Sequence, residues 1–108
     1  MDRLFVPLTK QSFEDFRKGK IFEVRILRRQ WSKKNVRSGR HVTLSCGYSG
    51  PRIEGKVGQV LTGSLGNIIR RLPFHKIEPR AKSKTEAVRM NLEILGEAEE
   101  YIAFEIKF

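Results

Sequence analysis

Apolar residues recur along this chain at strand spacing in some stretches and at helical spacing in others, and the changes between the two divide it into elements. Leu4 to Leu8 reads as a short strand that Pro7 and Thr9 bring to an end. Thr9 or Ser12 suits the N-cap of a short helix whose Phe13 and Phe16, three apart, share a face, and Gly19 suits its C-terminal stop. Ile21 to Arg28 then alternates, with Phe22, Val24 and Ile26 on one side and Glu23, Arg25 and Leu27 on the other. Residues 29 to 38 are polar and read as a loop. His41 to Cys46 is a further strand with Val42 and Leu44 inward. The cluster Gly47-Tyr48-Ser49-Gly50-Pro51 is a turn, after which Arg52 to Leu61 forms a long strand bent at Gly55 or Gly58.

The second half changes period. Ser64 opens a helix carrying Leu65, Ile68, Ile69 and Leu72, and Pro73 stops it. Residues 73 to 82 form a basic loop. Ser83 and Glu86 match a capping box for a third helix with Val88, Leu92 and Leu95 as its stripe, ended by Gly96. Tyr101 to Phe108 alternates again, with Ile102, Phe104, Ile106 and Phe108 on one side. The order β, α, β, β, β, α, α, β predicts an α+β fold, a small mixed β-barrel with about three short helices covering its ends. It does not alternate strand and helix, which disfavours a doubly wound parallel sheet.

Size agrees with a single domain spanning residues 1–108, long enough to bury a core without metal or disulfide. Cys46 is the only cysteine, so no intrachain disulfide forms, and a reducing, cytoplasmic location is expected. No apolar run approaches the roughly 20 residues of a membrane span. Charge changes the picture more. Twenty-two Lys and Arg against twelve Asp and Glu give a formal net charge of +10. Such a balance favours phosphate-rich partners.

The positive charge is clustered. Arg28, Arg29, Lys33, Lys34, Arg37 and Arg40 fall in a stretch without an acid, and the only tryptophan, Trp31, sits among them. Cations follow phosphates and an aromatic ring stacks on a base, the combination that holds single-stranded nucleic acid. The alternative for Trp31 is a lid folded back over the core. A second basic segment, Arg70, Arg71, Lys76, Arg80, Lys82 and Lys84, forms either the opposite wall of the same groove or the polar face of a helix and loop.

Gly19-Lys20-Ile21-Phe22-Glu23-Val24-Arg25 resembles the signature of the ASCH family: a Lys, two residues, Glu or sometimes Thr, one residue, and Arg, just after the first helix. Gly39 before the next strand, the apolar helix and loop from Leu65 to Ile77, and the final Ala103-Phe104-Glu105-Ile106 fit the same family in order and spacing. The family usually has Gly-Asp where this chain has Gly39-Arg40, and the exchange makes that rim more positive. The resemblance implies a PUA-like barrel and RNA binding. It also implies a candidate cluster of Lys20, Glu23 and Arg25, cations for phosphate and a carboxylate for a base edge or a water. Some members of the family hydrolyse N4-acylated cytidine, and some are reported to cleave RNA without metal. The hydrolases use a Lys, a Thr in the strand motif and an acid before the last helix. Here Lys20 matches the first, Glu23 replaces the Thr, and Glu78 is the only acid between the second and third helices.

The expected function is therefore a nucleic-acid-binding module, RNA preferred. Lys20, Arg25, Arg28, Arg29, Lys33, Lys34, Arg37 and Arg40 would hold phosphates and Trp31 a base, around a hollow shared with Glu23. The alternative is an enzyme on acylated cytidine nucleosides or RNA using Lys20, Glu23 and Glu78. Expected partners are RNA, another single strand or a modified nucleoside, with no membrane. No cofactor or metal is expected, because His41, His75 and Cys46 are too scattered for zinc. Gly50 to Lys56 nearly spells a phosphate-binding loop, but Val57 stands where a hydroxyl must hold magnesium.

Overall fold

In the computed structural model residues 3–108 are described, with residues 29 and 30 by their backbone alone. The strands are β1 (Leu4–Leu8), β2 (Phe22–Ile26), β3 (His41–Cys46), β4 (Arg52–Gly63) and β5 (Tyr101–Lys107). The helices are α1 (Lys10–Arg17), the single turn α2 (Arg29–Ser32), α3 (Leu65–Arg71) and α4 (Lys84–Leu95), with a 3-10 turn at Phe74–Lys76. The strands form one sheet in the order β1-β3-β4-β5-β2. β1 runs parallel to β3 and every other pairing is antiparallel. The sheet curls into a half-barrel whose edge strands are β1 and β2.

Two apolar clusters form, one on each side of the sheet. The inner one contains Leu4, Val6, Leu8, Val42, Leu44, Ile102, Phe104 and Ile106, with Phe13 and Phe16 brought in by α1. The outer one joins Phe22, Val24, Tyr101 and Ala103 to Leu65, Ile68, Ile69 and Leu72 of α3 and to Ala87 of α4. β5 thus feeds both clusters, because alternate side chains point to opposite faces and both faces are covered.

The chain ends its elements largely where its caps lie. The hydroxyls of Thr9, Ser64 and Ser83 accept hydrogen bonds from the amides of Ser12, Asn67 and Glu86. The Glu86 carboxylate accepts from the Lys82 amide, one residue before the donor a full capping box uses. In β4 the register with β5 shifts between Val57 and Val60. A Cβ at Gly58 would lie 2.3 Å from Glu105 Oε1, so glycine leaves room for that carboxylate to accept from the Gln59 amide at 2.9 Å.

In α4 the stripe of Val88, Leu92 and Leu95 packs half-buried against the outer cluster, beside the fully buried Ala87 and Asn91. Two expectations need correction. The polar loop after β2 begins with a helical turn, α2. Trp31 is 8% exposed and packs on Phe104 with ring centres 5.8 Å apart, so it belongs to the core and does not offer a face to a base. An apolar-lined indole is a better core filler than a solvated one once α2 turns it inward. Among the described residues no helix is long and apolar enough to cross a membrane.

Replacing Trp31 with Ala should therefore destabilise the fold by about 3–5 kcal/mol, the usual cost of emptying a buried aromatic site. Urea unfolding followed by circular dichroism measures it, and an unchanged midpoint would contradict the burial.

Candidate functional site

β2 carries its polar residues on the side where a core is expected. Glu23 lies opposite Phe104 and Arg25 opposite Ile102, and both partners belong to the inner cluster. Residues directly opposite on antiparallel strands share a face, so Glu23 and Arg25 look into the curl of the sheet. Phe22 and Val24, on the opposite face, pack beneath α3 and α4. Lys20 arrives from the turn after α1, where Gly19 has a φ of +120° and the Lys20 amide donates to the Asp15 carbonyl.

These side chains form a compact ion cluster. Lys20 Nζ lies 3.2 Å from Glu23 Oε1, and Arg25 Nε donates to Glu23 Oε2 at 2.6 Å. Lys20 is 4% exposed and Glu23 5%. The Lys20 ammonium also sits 5.3 Å from the centre of the Phe16 ring. Arg25 has two further contacts. Its Nη2 donates to the Pro7 carbonyl at 2.9 Å, which ties β2 to β1 across the open seam of the half-barrel. Its guanidinium lies 5.2 Å from the centre of the Trp31 ring.

Burial pushes the Glu23 carboxyl upward, but the Lys20 and Arg25 charges and their hydrogen bonds outweigh it and hold its pKa below the ordinary 4.5. Glu78 shows the opposite balance. Burial raises it, Lys20 and Arg80 only partly compensate, and Asp15 and Glu23 add repulsion, so its pKa lies above 4.5. Glu78 is 3% exposed, and its buried Oε2 has no hydrogen-bond partner; Arg80 approaches it at 3.9 Å. Lys20, Glu23, Arg25, Glu78 and Asn91 line a cavity of about 180 Å³, with Thr9 and Ser12 at its wall. Sites that enclose a drug-sized ligand usually exceed about 300 Å³. This cavity takes a ring or a few waters, not a chain.

The basic loop forms a separate hollow. Arg3, Lys33, Lys34, Arg37, Arg40 and His41 line a groove of about 730 Å³, and no acid is found among the described residues of its lining. Gly39, with a φ of +90°, turns the chain into β3 and donates its amide to the Val57 carbonyl at 2.7 Å. The Arg40 guanidinium donates to the carbonyls of Lys34 and Asn35, which folds the loop back on itself.

One hollow shared by all these residues was the expectation; the two hollows have no lining residue in common. Trp31 stands between them, with Arg25 on one contact and Lys34 on another, each 5.2 Å from its ring. Of the expected phosphate ligands, Lys33, Lys34, Arg37 and Arg40 line the groove and Arg28 is exposed beside it in sequence. The Arg29 side chain lies outside the described residues. Lys20 and Arg25 are taken up by Glu23 and face the small cavity, so they do not join the groove. Arg3 and His41 join it, which spacing alone concealed because they come from the start of two paired strands. The second basic segment lines neither wall of the groove; Arg80 pairs with Asp15 and Glu78. Among the described residues no group of three or more His, Cys, Asp or Glu could hold a metal ion.

No family model matches the chain, and no curated protein matches it. Two solved structures share its fold. The crystal structure of hypothetical protein PH0355 covers 98% of each chain at 17% identity with a TM-score of 0.78. The solution structure of protein PF0455 from Pyrococcus furiosus covers 98% of this chain and 96% of its own at 15% identity, with a TM-score of 0.65. At such identities the likeness concerns the fold alone.

The two carboxylates should shift stability in opposite directions. Glu23 has a folded pKa below its unfolded value, so its contribution is present above about pH 4.5 and lost as pH falls through the lowered value. Glu23→Gln should cost about 3–5 kcal/mol at pH 7 by leaving the buried Lys20 and the half-buried Arg25 without their counter-charge, with the deficit shrinking in acid. Glu78 has a raised folded pKa, so stability falls as pH rises through it. Glu78→Gln should unfold at higher urea than the parent at pH 7.5 and at the same urea well below pH 4.5. A Glu78→Gln protein weakened at pH 7.5 would refute the assignment.

Proposed function

We propose that this chain is a nucleic-acid-binding domain of the ASCH type, RNA preferred, whose groove of Arg3, Lys33, Lys34, Arg37 and Arg40 follows a phosphate backbone. The observation that carries this reading is the gathering of Arg3, Lys33, Lys34, Arg37 and Arg40 along that groove, with no acid among the described residues of its lining, in a protein of net charge +10. Cations concentrated along one channel attract a polyanion far more than they stabilise the fold, since exposed ion pairs are worth about 0–1 kcal/mol. The resemblance of Lys20-x-x-Glu23-x-Arg25 to the ASCH signature supports the same class.

Binding should be strongly salt-dependent. With three to five phosphates neutralised on a single strand, log affinity should fall against log salt with a slope of about −2 to −3.5. Replacing Lys33 or Lys34 with Ala should flatten the slope by about 0.7 each. Fluorescence anisotropy of labelled oligoribonucleotides between 50 and 300 mM salt reads this. Equal affinity across that range would sink the proposal.

A second reading is favoured by Glu78, whose buried Oε2 accepts no hydrogen bond from the described residues and whose raised pKa suits proton transfer beside Lys20. With Glu23 where the acyl-cytidine hydrolases carry Thr, Glu78 would take a proton from a water as its oxygen adds to the acyl carbon of an N4-acylated cytidine, and the proton would pass to N4 as the acyl C–N bond breaks; the cavity takes a base and not a chain, so RNA should stay uncut. As a general base Glu78 acts ionised, so the rate should rise with pH through its raised pKa and vanish in Glu78→Gln. Incubating the chain at high concentration with N4-acetylcytidine, and separately with RNA, and resolving the products by chromatography tests it. No product from N4-acetylcytidine removes the enzymatic reading and leaves the binding one intact.

A further inference from the structure

With Trp31 in the core, the surface aromatic that a nucleic-acid groove needs must come from elsewhere, and the outer face of the half-barrel carries one. The helical layer draws on β2, β5 and Leu61 at the far end of β4, with no residue of β1 or β3. The outward row of the remaining strands is set by register. Phe5 lies beside Thr43 and Thr43 beside Glu54; Pro7 lies beside Ser45 and Ser45 beside Arg52. The turn between β3 and β4 leans over this face. There Tyr48 is 78% exposed, and its ring stacks on Phe5 with centres 6.2 Å apart and planes 28° from parallel.

Cations frame the pair. The Arg52 guanidinium lies 5.4 Å from the centre of the Phe5 ring and donates to the Tyr48 carbonyl at 3.4 Å. Arg3 pairs with Glu54 at 2.7 Å, and Glu54 also accepts from the Thr43 hydroxyl at 2.7 Å, so the one acid of this row is already compensated. Arg3 also lines the basic groove. Through its pair with Glu54, Arg3 links the groove to the outward row that carries Phe5. An exposed tyrosine held flat by a ring beneath it, beside arginines, is built as a stacking platform is built: one face fixed, one face open, charge within reach of the adjoining phosphates.

We propose that Tyr48, backed by Phe5 and flanked by Arg52 and Arg3, stacks on a base of a single-stranded nucleic acid whose phosphates continue into the groove. This rests on the nucleic-acid reading of that groove and adds the base contact that reading otherwise lacks. The occupant is a single strand rather than a duplex, because only an unpaired base has a free π-face.

Tyr48 lies in an exposed turn, so its replacement should leave the thermal unfolding curve unmoved. Tyr48→Ala should lower affinity for single-stranded oligoribonucleotides about 5- to 100-fold. Tyr48→Phe should bind as the parent does, duplex binding should not change, and the salt slope of Tyr48→Ala should match the parent's, since no phosphate contact is lost. Lys34→Ala run alongside should flatten the slope. If Tyr48→Ala binds single strands as tightly as the parent while Lys34→Ala is weakened, the platform is wrong and the groove stands. Failure of the parent chain itself to bind any single strand overturns both.

Discussion

A carboxylate on the inner face of an edge strand sets the terms for the rest of this structure. Glu23 cannot be buried ionised without cations against both of its oxygens, and Lys20 and Arg25 supply one each. The cluster then reaches outward. Arg25 also holds the Pro7 carbonyl of β1 and rests against Trp31, so the seam of the half-barrel and the seating of α2 depend on the same guanidinium. Buried ion clusters seldom add net stability over a well-packed apolar substitute. What this one secures is arrangement: two edge strands held apart at a fixed gap, with charge lining the space between them.

That gap explains why two separate polar hollows coexist on so small a chain. A fully hydrogen-bonded barrel would have no room for Lys20 and Glu23 at its wall. The open seam leaves a cavity of about 180 Å³ that shares no lining residue with the larger groove, and Trp31 touches a cation of each. The indole has cations near its ring on behalf of both hollows, Arg25 for the cavity and Lys34 for the groove. The division sorts chemistry by size. The small cavity, with Glu23 held by two cations and a Glu78 oxygen that accepts no hydrogen bond from the described residues, suits one small group, and the larger groove of lysines and arginines suits a backbone.

Much of the architecture was legible from local signals. Thr9, Ser64 and Ser83 cap the helices that their positions predict, and the alternations at 4–8, 41–46 and 101–107 are strands. These signals are local because a cap or a pleat is satisfied within a few residues. Burial on both faces was not legible. The alternation in β2 sets Phe22 and Val24 apart from Glu23 and Arg25, but it is the helices over the outer face that take the apolar side and leave the polar side in the curl of the sheet. A period of two separates faces without saying which one is inner. Trp31 failed for a related reason: its neighbours in sequence are cations, but its neighbours in space are Phe104 and the inner cluster. Tyr48 sat unnoticed inside a turn cluster, because nothing in its own segment announces that Phe5, from the first strand, will lie beneath it.

Arg40 shows how one exchange alters a surface twice. The ASCH resemblance leads one to expect an acid after Gly39, and an acid there would oppose a polyanion directly. Arginine removes that repulsion. It also acts on the loop itself, since its guanidinium is spent on the carbonyls of Lys34 and Asn35, and Asn35 is held at a φ of +56°. A loop of free lysines would lose conformational freedom on meeting a ligand, at about 0.5–1.5 kcal/mol per immobilised side chain. A loop folded around Arg40 has lost part of its backbone freedom already. Arg40 therefore serves the groove more by fixing where Lys33 and Lys34 stand than by touching a phosphate, and its replacement by Lys, which keeps the charge and loses the fork of donors, would separate the two roles.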